Sequence, residues 1–82
     1  MRFRKKPVEI EAVKWLGVNT NEVQGFCGRA KVQGRKLRIP TMEGHIWAKE
    51  GDWIIKGVNG EFYPCDDEVF WKTYEYLVPG DD

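Results

Sequence analysis

The dipeptide Asn59-Gly60, standing between Trp53-Ile54-Ile55-Lys56 and Phe62-Tyr63-Pro64, constrains this chain more than any other feature. Two apolar, β-prone runs on either side of Asn-Gly are the strongest local signal for a β-hairpin. A two-residue type I′ turn needs positive φ at both central positions, which Asn and Gly tolerate best. The spacing therefore predicts antiparallel pairing around residue 59. With 82 residues there is room for one small domain and one thin core.

The rest of the chain reads as further short strands and two short helices. Pro7 to Trp15 alternates, with Val8, Ile10 and Ala12 on one side and Glu9 and Glu11 on the other. The phase then slips to Val13 and Trp15, for which a β-bulge near Ala12 is expected. Asn19 is a suitable N-cap with Glu22 as capping-box partner, and Val18 and Val23 have the spacing of a hydrophobic staple. Val23, Phe26 and Cys27 share one helical face, and Gly28 has the position of a left-handed C-cap. Ala30 to Val32 suits a short strand. A second hairpin is expected with Leu37 and Ile39 inward on Lys36–Thr41, a turn at Met42-Glu43-Gly44, and Ile46 and Ala48 inward on the return to Lys49. Pro40 within that arm implies an edge position or a bulge. After the turn at Glu50-Gly51-Asp52 and the Asn-Gly hairpin, Asp66 caps a second helix, with Phe70, Thr73 and Tyr74 inward. Tyr74 to Val78 is expected as a last strand and residues 79–82 as a flexible tail. The order implies a single α+β domain over 1–82, a mainly antiparallel sheet with two short helices.

Composition excludes several classes. No apolar run exceeds three residues, so no membrane-spanning helix is expected. The basic opening Met1 to Pro7 lacks the apolar stretch of a secretory signal. Cys27 and Cys65 are too few for a disulfide scaffold and fit a reducing cytosol. One His and two separated Cys make no metal set, and no phosphate loop or nucleophile elbow is present. No cofactor is expected. Cys65, just before a helix, and His45 form a formal nucleophile–base pair if the helix dipole lowers the thiol pKa. Nothing joins them in sequence, and packing at a strand–helix junction is the preferred reading of Cys65. Asp66-Asp67-Glu68 is better read as helix capping than as an acid–base pair. The chain is expected to be no enzyme.

Charge is more informative. The formal total is zero, but residues 1–38 hold ten basic side chains against three acidic, a balance of +7, and residues 39–82 hold the opposite. Arg29, Lys31, Arg35, Lys36 and Arg38 form a candidate ligand-binding patch for phosphates, a nucleotide or nucleic acid. Neutrality overall weighs against a dedicated nucleic-acid domain, and a dipolar surface also favours self-association into a homo-oligomer. Of the four Trp, Trp15 and Trp53 are assigned to the core. Trp47, Trp71 and Tyr63 are candidate interface residues, and exposed indoles also stack bases.

Two blocks resemble a family of small, mostly uncharacterised bacteriophage and prophage proteins: Arg4-Lys5-Lys6-Pro7-Val8-Glu9-Ile10-Glu11-Ala12, and Gly51 to Cys65 followed by Phe70 and Thr73-Tyr74-Glu75. Asp66-Asp67 departs from the Lys-Pro frequent there and makes the second helix start more acidic. The resemblance supplies no catalytic residue. It implies expression in the host bacterial cytoplasm and an accessory role by binding a host protein or a small nucleotide ligand, in anti-defence or host takeover. The alternatives are a nucleic-acid-binding protein of phage replication and a minor virion component.

Overall fold

A computed structural model describes residues 1–4 and 6–78. Its elements are β1 (Glu11–Lys14), α1 (Thr20–Phe26), β2 (Lys31–Gln33), β3 (Lys36–Thr41), β4 (Gly44–Ala48), β5 (Trp53–Lys56), β6 (Phe62–Cys65) and α2 (Asp67–Thr73). The strands form two three-stranded sheets, β1-β5-β6 and β2-β3-β4, and every pairing is antiparallel. This is the small α+β domain that the sequence implies.

Alternation decides what each sheet buries. Val13, Ile54 and Phe62 face inward from the first sheet, and Val32, Leu37, Ile39, Ile46 and Ala48 from the second. Trp15, Val23, Phe26, Cys27 and Ala30 complete this core. Trp15 is fully buried. Its indole N–H donates to the Arg35 carbonyl at 2.9 Å, so the polar end of the side chain is satisfied where it would otherwise be costly. Its backbone exchanges hydrogen bonds with Gly51 and Asp52 at 2.7 and 2.8 Å. The same residue thus ties the first sheet to both the β2–β3 turn and the turn before β5.

Several expectations change. The first strand spans only Glu11–Lys14, not Pro7–Trp15, and pairs one-to-one with β5. The phase slip therefore marks where the strand begins, and no bulge is needed. Asn19 precedes α1 without capping it: its carboxamide accepts from Leu16 N–H and donates to the Lys14 carbonyl and to Glu22 Oε1. Asn19 and Glu22 do meet, but side chain to side chain, and the amide is spent on closing the preceding loop. Val18 is 80 % exposed, so no staple forms. α1 ends at Cys27 (φ −122°, ψ 89°), and Gly28 does not adopt positive φ.

Asn59-Gly60 does turn the chain, though not as type I′. Gly60 N–H donates to the Gly57 carbonyl, Gly57 N–H donates to the Glu61 carbonyl, and of the central residues only Gly60 (φ 80°) is left-handed. This is a three-residue hairpin loop in which glycine supplies the one left-handed position. Pro40 sits in the middle strand of its sheet, but β2 reaches only as far as Arg38, so one side of Pro40 has no strand to donate to. Asp66 caps α2 as expected, accepting from the N–H groups of Glu68 and Val69. Phe70 is buried and Tyr74 half-buried, whereas Thr73 is exposed and returns its hydroxyl to the Val69 carbonyl. Residues 74–78 form no strand. The expected tail, 79–82, lies outside the described residues.

Two faces of the first sheet are occupied unequally. Trp53 and Ile55 alternate away from the main core, towards α2. There Trp53 stacks on Phe70 at 4.3 Å between ring centroids, and Trp71 meets Trp53 edge-on at 5.5 Å. Trp53 is therefore half-buried under α2 and not a member of the main core, because an even-numbered neighbour, Ile54, takes the inward phase.

Candidate functional site

The residues that alternate outward from β2-β3-β4 make one continuous face. Leu37, Ile39, Val32, Ile46 and Ala48 are inward, so Lys31, Lys36, Arg38, His45 and Trp47 must point the other way. Strand register sets their order. Lys31 lies opposite Arg38, and Arg38 opposite Trp47, in one row across three strands. With about 4.8 Å between strands, that row spans about 10 Å. Gln33 stands opposite Lys36 on the same face, and His45 opposite Pro40. No carboxylate stands among these residues.

Trp47 is 42 % exposed and its ring is braced: the His45 imidazole meets it edge-on at 5.5 Å and 88°. Arg38 Nη2 lies 3.4 Å from His45 Nδ1. An indole in edge-on contact with an imidazole, beside a guanidinium and an ammonium, sets an exposed aromatic ring next to a row of cations. Aromatic rings beside basic side chains are chemically suited to stack planar groups and pair with anions.

The five basic candidates do not all join it. Arg35 lies in the β2–β3 turn, and its guanidinium binds Glu50 at 2.8 and 3.1 Å, so its charge is already matched. Arg29 follows α1, outside the strands, and is exposed. Lys31, Lys36 and Arg38 remain as the usable cations. The two exposed tryptophans are also separated: Trp47 is on this face, whereas Trp71 and Tyr63 line a groove beside α2. In that groove burial first, then the neighbouring Tyr74, pushes the Tyr63 phenol up to about 12.

The formal Cys–His pair is not assembled. Cys65 is in β6 with its Sγ against the Asp66 carbonyl at 3.6 Å, while His45 contacts Trp47 and Arg38. Burial, then the charges of Asp66 and Asp52, push the Cys65 thiol up, the reverse of the activation expected from a helix start. Asp66-Asp67-Glu68 serves the helix, and Asp67 also does something the sequence did not suggest. It accepts from the Trp53 indole N–H at 2.8 Å and pairs with Lys14 Nζ at 3.3 Å. The Trp53 bond first, then Lys14, holds its carboxyl below the usual carboxylate range. Among the described residues no cluster of His, Cys, Asp and Glu suits a metal ion. No helix among them is long and apolar enough to cross a membrane.

No protein-family model, curated protein or solved structure matched the chain.

Proposed function

We propose that this chain is a non-enzymatic binding protein whose outer β2-β3-β4 face takes a nucleotide-class anion. One observation carries the reading: Trp47 lies in register with Arg38 and Lys31 on an exposed face without carboxylates. A base stacked on Trp47 would place its phosphate over Arg38 and Lys31, with Lys36 as a further cation. The resemblance to small phage proteins supports an accessory role in the infected bacterium, in which sequestering a nucleotide signal serves anti-defence. Binding of a host protein by the acidic half is the other form of that role.

A second reading, single-stranded nucleic acid, is favoured by the openness of the face. Two grooves among the described residues lie elsewhere, beside β1 and the β5–β6 loop. Small ligands prefer concave sites that bury most of their surface, whereas an extended polyanion gains affinity on an open face by repetition.

Thermal unfolding in the presence of cyclic and linear nucleotides tests the first reading. A nucleotide at a hundred times its Kd stabilises by about 2.7 kcal/mol, a rise of several degrees in a domain of this size. Lys31→Glu/Arg38→Glu should abolish the rise and Trp47→Ala should reduce it. No shift across the panel, with a gel shift of a single-stranded oligonucleotide that weakens steeply with salt, favours the second reading. Neither response removes both.

A further inference from the structure

The opposite side of the molecule carries a second surface of different chemistry. A groove of about 1100 Å³ lies between α2, residues 6–10 and residues 73–77. Its aromatic floor includes Trp53, Tyr63, Phe70 and Tyr74, and Trp71 on its lip is 50 % exposed. Glu9, Glu61 and Glu75 supply its carboxylates and Lys6 its one cation, so its charged lining is acidic on balance. Among the described residues, no backbone hydrogen bond outside the helices and strands involves residues 1–4, 6–10 or 75–78. Tyr76 and Leu77 are 72 % and 53 % exposed. The Cα radius of gyration, 13.8 Å, exceeds the roughly 12 Å of a compact chain of this length, as expected when segments lie off the core.

The chain itself contains a segment of matching chemistry. Residues 1–4, Met1-Arg2-Phe3-Arg4, alternate apolar and basic. In an extended arm, alternate side chains point to opposite sides, so Met1 and Phe3 share one side and Arg2 and Arg4 the other. Met1 and Phe3 are almost fully exposed, at 108 % and 88 % of their reference area. An aromatic floor whose charged lining is acidic on balance accepts such an arm with its apolar side down and its arginines towards the carboxylates. We propose that the occupant is residues 1–4 of a second copy of this chain, so that two copies exchange arms about a two-fold axis. Residues 6–10 already form a wall of their own groove, which starts each arm at the site. Exchange of identical arms closes the assembly at two copies and leaves no unmatched groove.

The account is tested by sedimentation velocity and light scattering on the full chain across micromolar concentrations. The wild type should be a dimer. Phe3→Asp and Arg2→Glu/Arg4→Glu should each weaken dimerisation about tenfold or more, since each removes one half of the arm's complementarity. Trp71→Glu should do the same from the groove side. Circular dichroism checks that it folds, and Leu77→Glu, outside any helix or strand, serves if it does not. Combining Arg2→Glu/Arg4→Glu with Glu61→Lys/Glu75→Lys should restore the dimer, because the charges are then exchanged and not lost. A wild type that stays monomeric overturns the proposal, whether or not an arm occupies its own groove. So does a dimer that persists in both arm variants.

Discussion

The outer faces of the two sheets make opposite use of the same architecture. On β2-β3-β4 the outward residues are Lys31, Lys36, Arg38, His45 and Trp47, and no helix covers them. On β1-β5-β6 the outward residues include Ala12, Trp53, Ile55 and Tyr63, and α2 lies over part of them. A sheet face of charged side chains is stable in water as it stands, so it is free to meet a ligand. An aromatic face is not, and the chain devotes an entire helix to it. The distribution of tryptophans follows: one in the core, one on the basic face, two beside α2. The polarity of the sequence, +7 then −7, carries over only in part: Lys31, Lys36 and Arg38 stay on the first face, whereas Lys6 and Lys14 lie on the side of α2, Lys14 paired with Asp67.

The largest expected effect concerns what the two sheets share. Leu37→Ala and Ile54→Ala remove fully buried side chains of one core. Each should destabilise by about 2–5 kcal/mol, read from the midpoint of urea unfolding, and should disturb both faces together. Separate unfolding of either sheet would show that the two do not share one core. A smaller effect separates the faces. Asp66→Ala removes the only side-chain cap of α2 and should cost about 1 kcal/mol while leaving the basic face intact. Smaller still is the response to acid. Asp67 is held below its ordinary value when folded, chiefly by the Trp53 indole N–H. Its contribution is therefore complete above the unfolded carboxylate pKa and lost as pH falls through the folded value. Trp fluorescence should report loosening of α2 in that acidic window, and Asp67→Asn should flatten the response. Smallest is thiol reactivity: with Cys65 pushed up and Cys27 buried and also pushed up by desolvation, both should alkylate slowly at neutral pH.

The pattern of residues revealed the fold class, the strand pairs around Met42-Glu43 and Asn59-Gly60, the Asp66 cap, and Leu37, Ile39 and Ile46 as inward-facing. These rest on periods of two and on local turn chemistry, which act over a few residues. What failed depended on partners far along the chain. Val8 and Ile10 carry strand alternation, yet β5 ends at Lys56 and gives them nothing to pair with. Tyr74 to Val78 looks like a strand, but no edge meets it. The basic patch was legible as charge, but its usable part was not: Arg35 is matched by Glu50, fifteen positions away. Trp47 as an outward residue followed from alternation, and its place opposite Arg38 needed the register of the hairpin. The Lys14–Asp67–Trp53 contacts join β1, α2 and β5, and no sequence spacing announces them.

The central claim is that the face of β2-β3-β4 is the ligand-binding face. The indole N–H resonances of the four tryptophans test it directly, because they report three regions: Trp15 the core, Trp47 the basic face, and Trp53 and Trp71 the side of α2. On titration with the nucleotide panel and with a short single-stranded oligonucleotide, the Trp47 signal should move, and Lys31→Glu/Arg38→Glu should abolish the movement. Trp15, Trp53 and Trp71 should stay in place. Movement confined to Trp53 and Trp71, or saturable binding that leaves Trp47 unmoved, would contradict it.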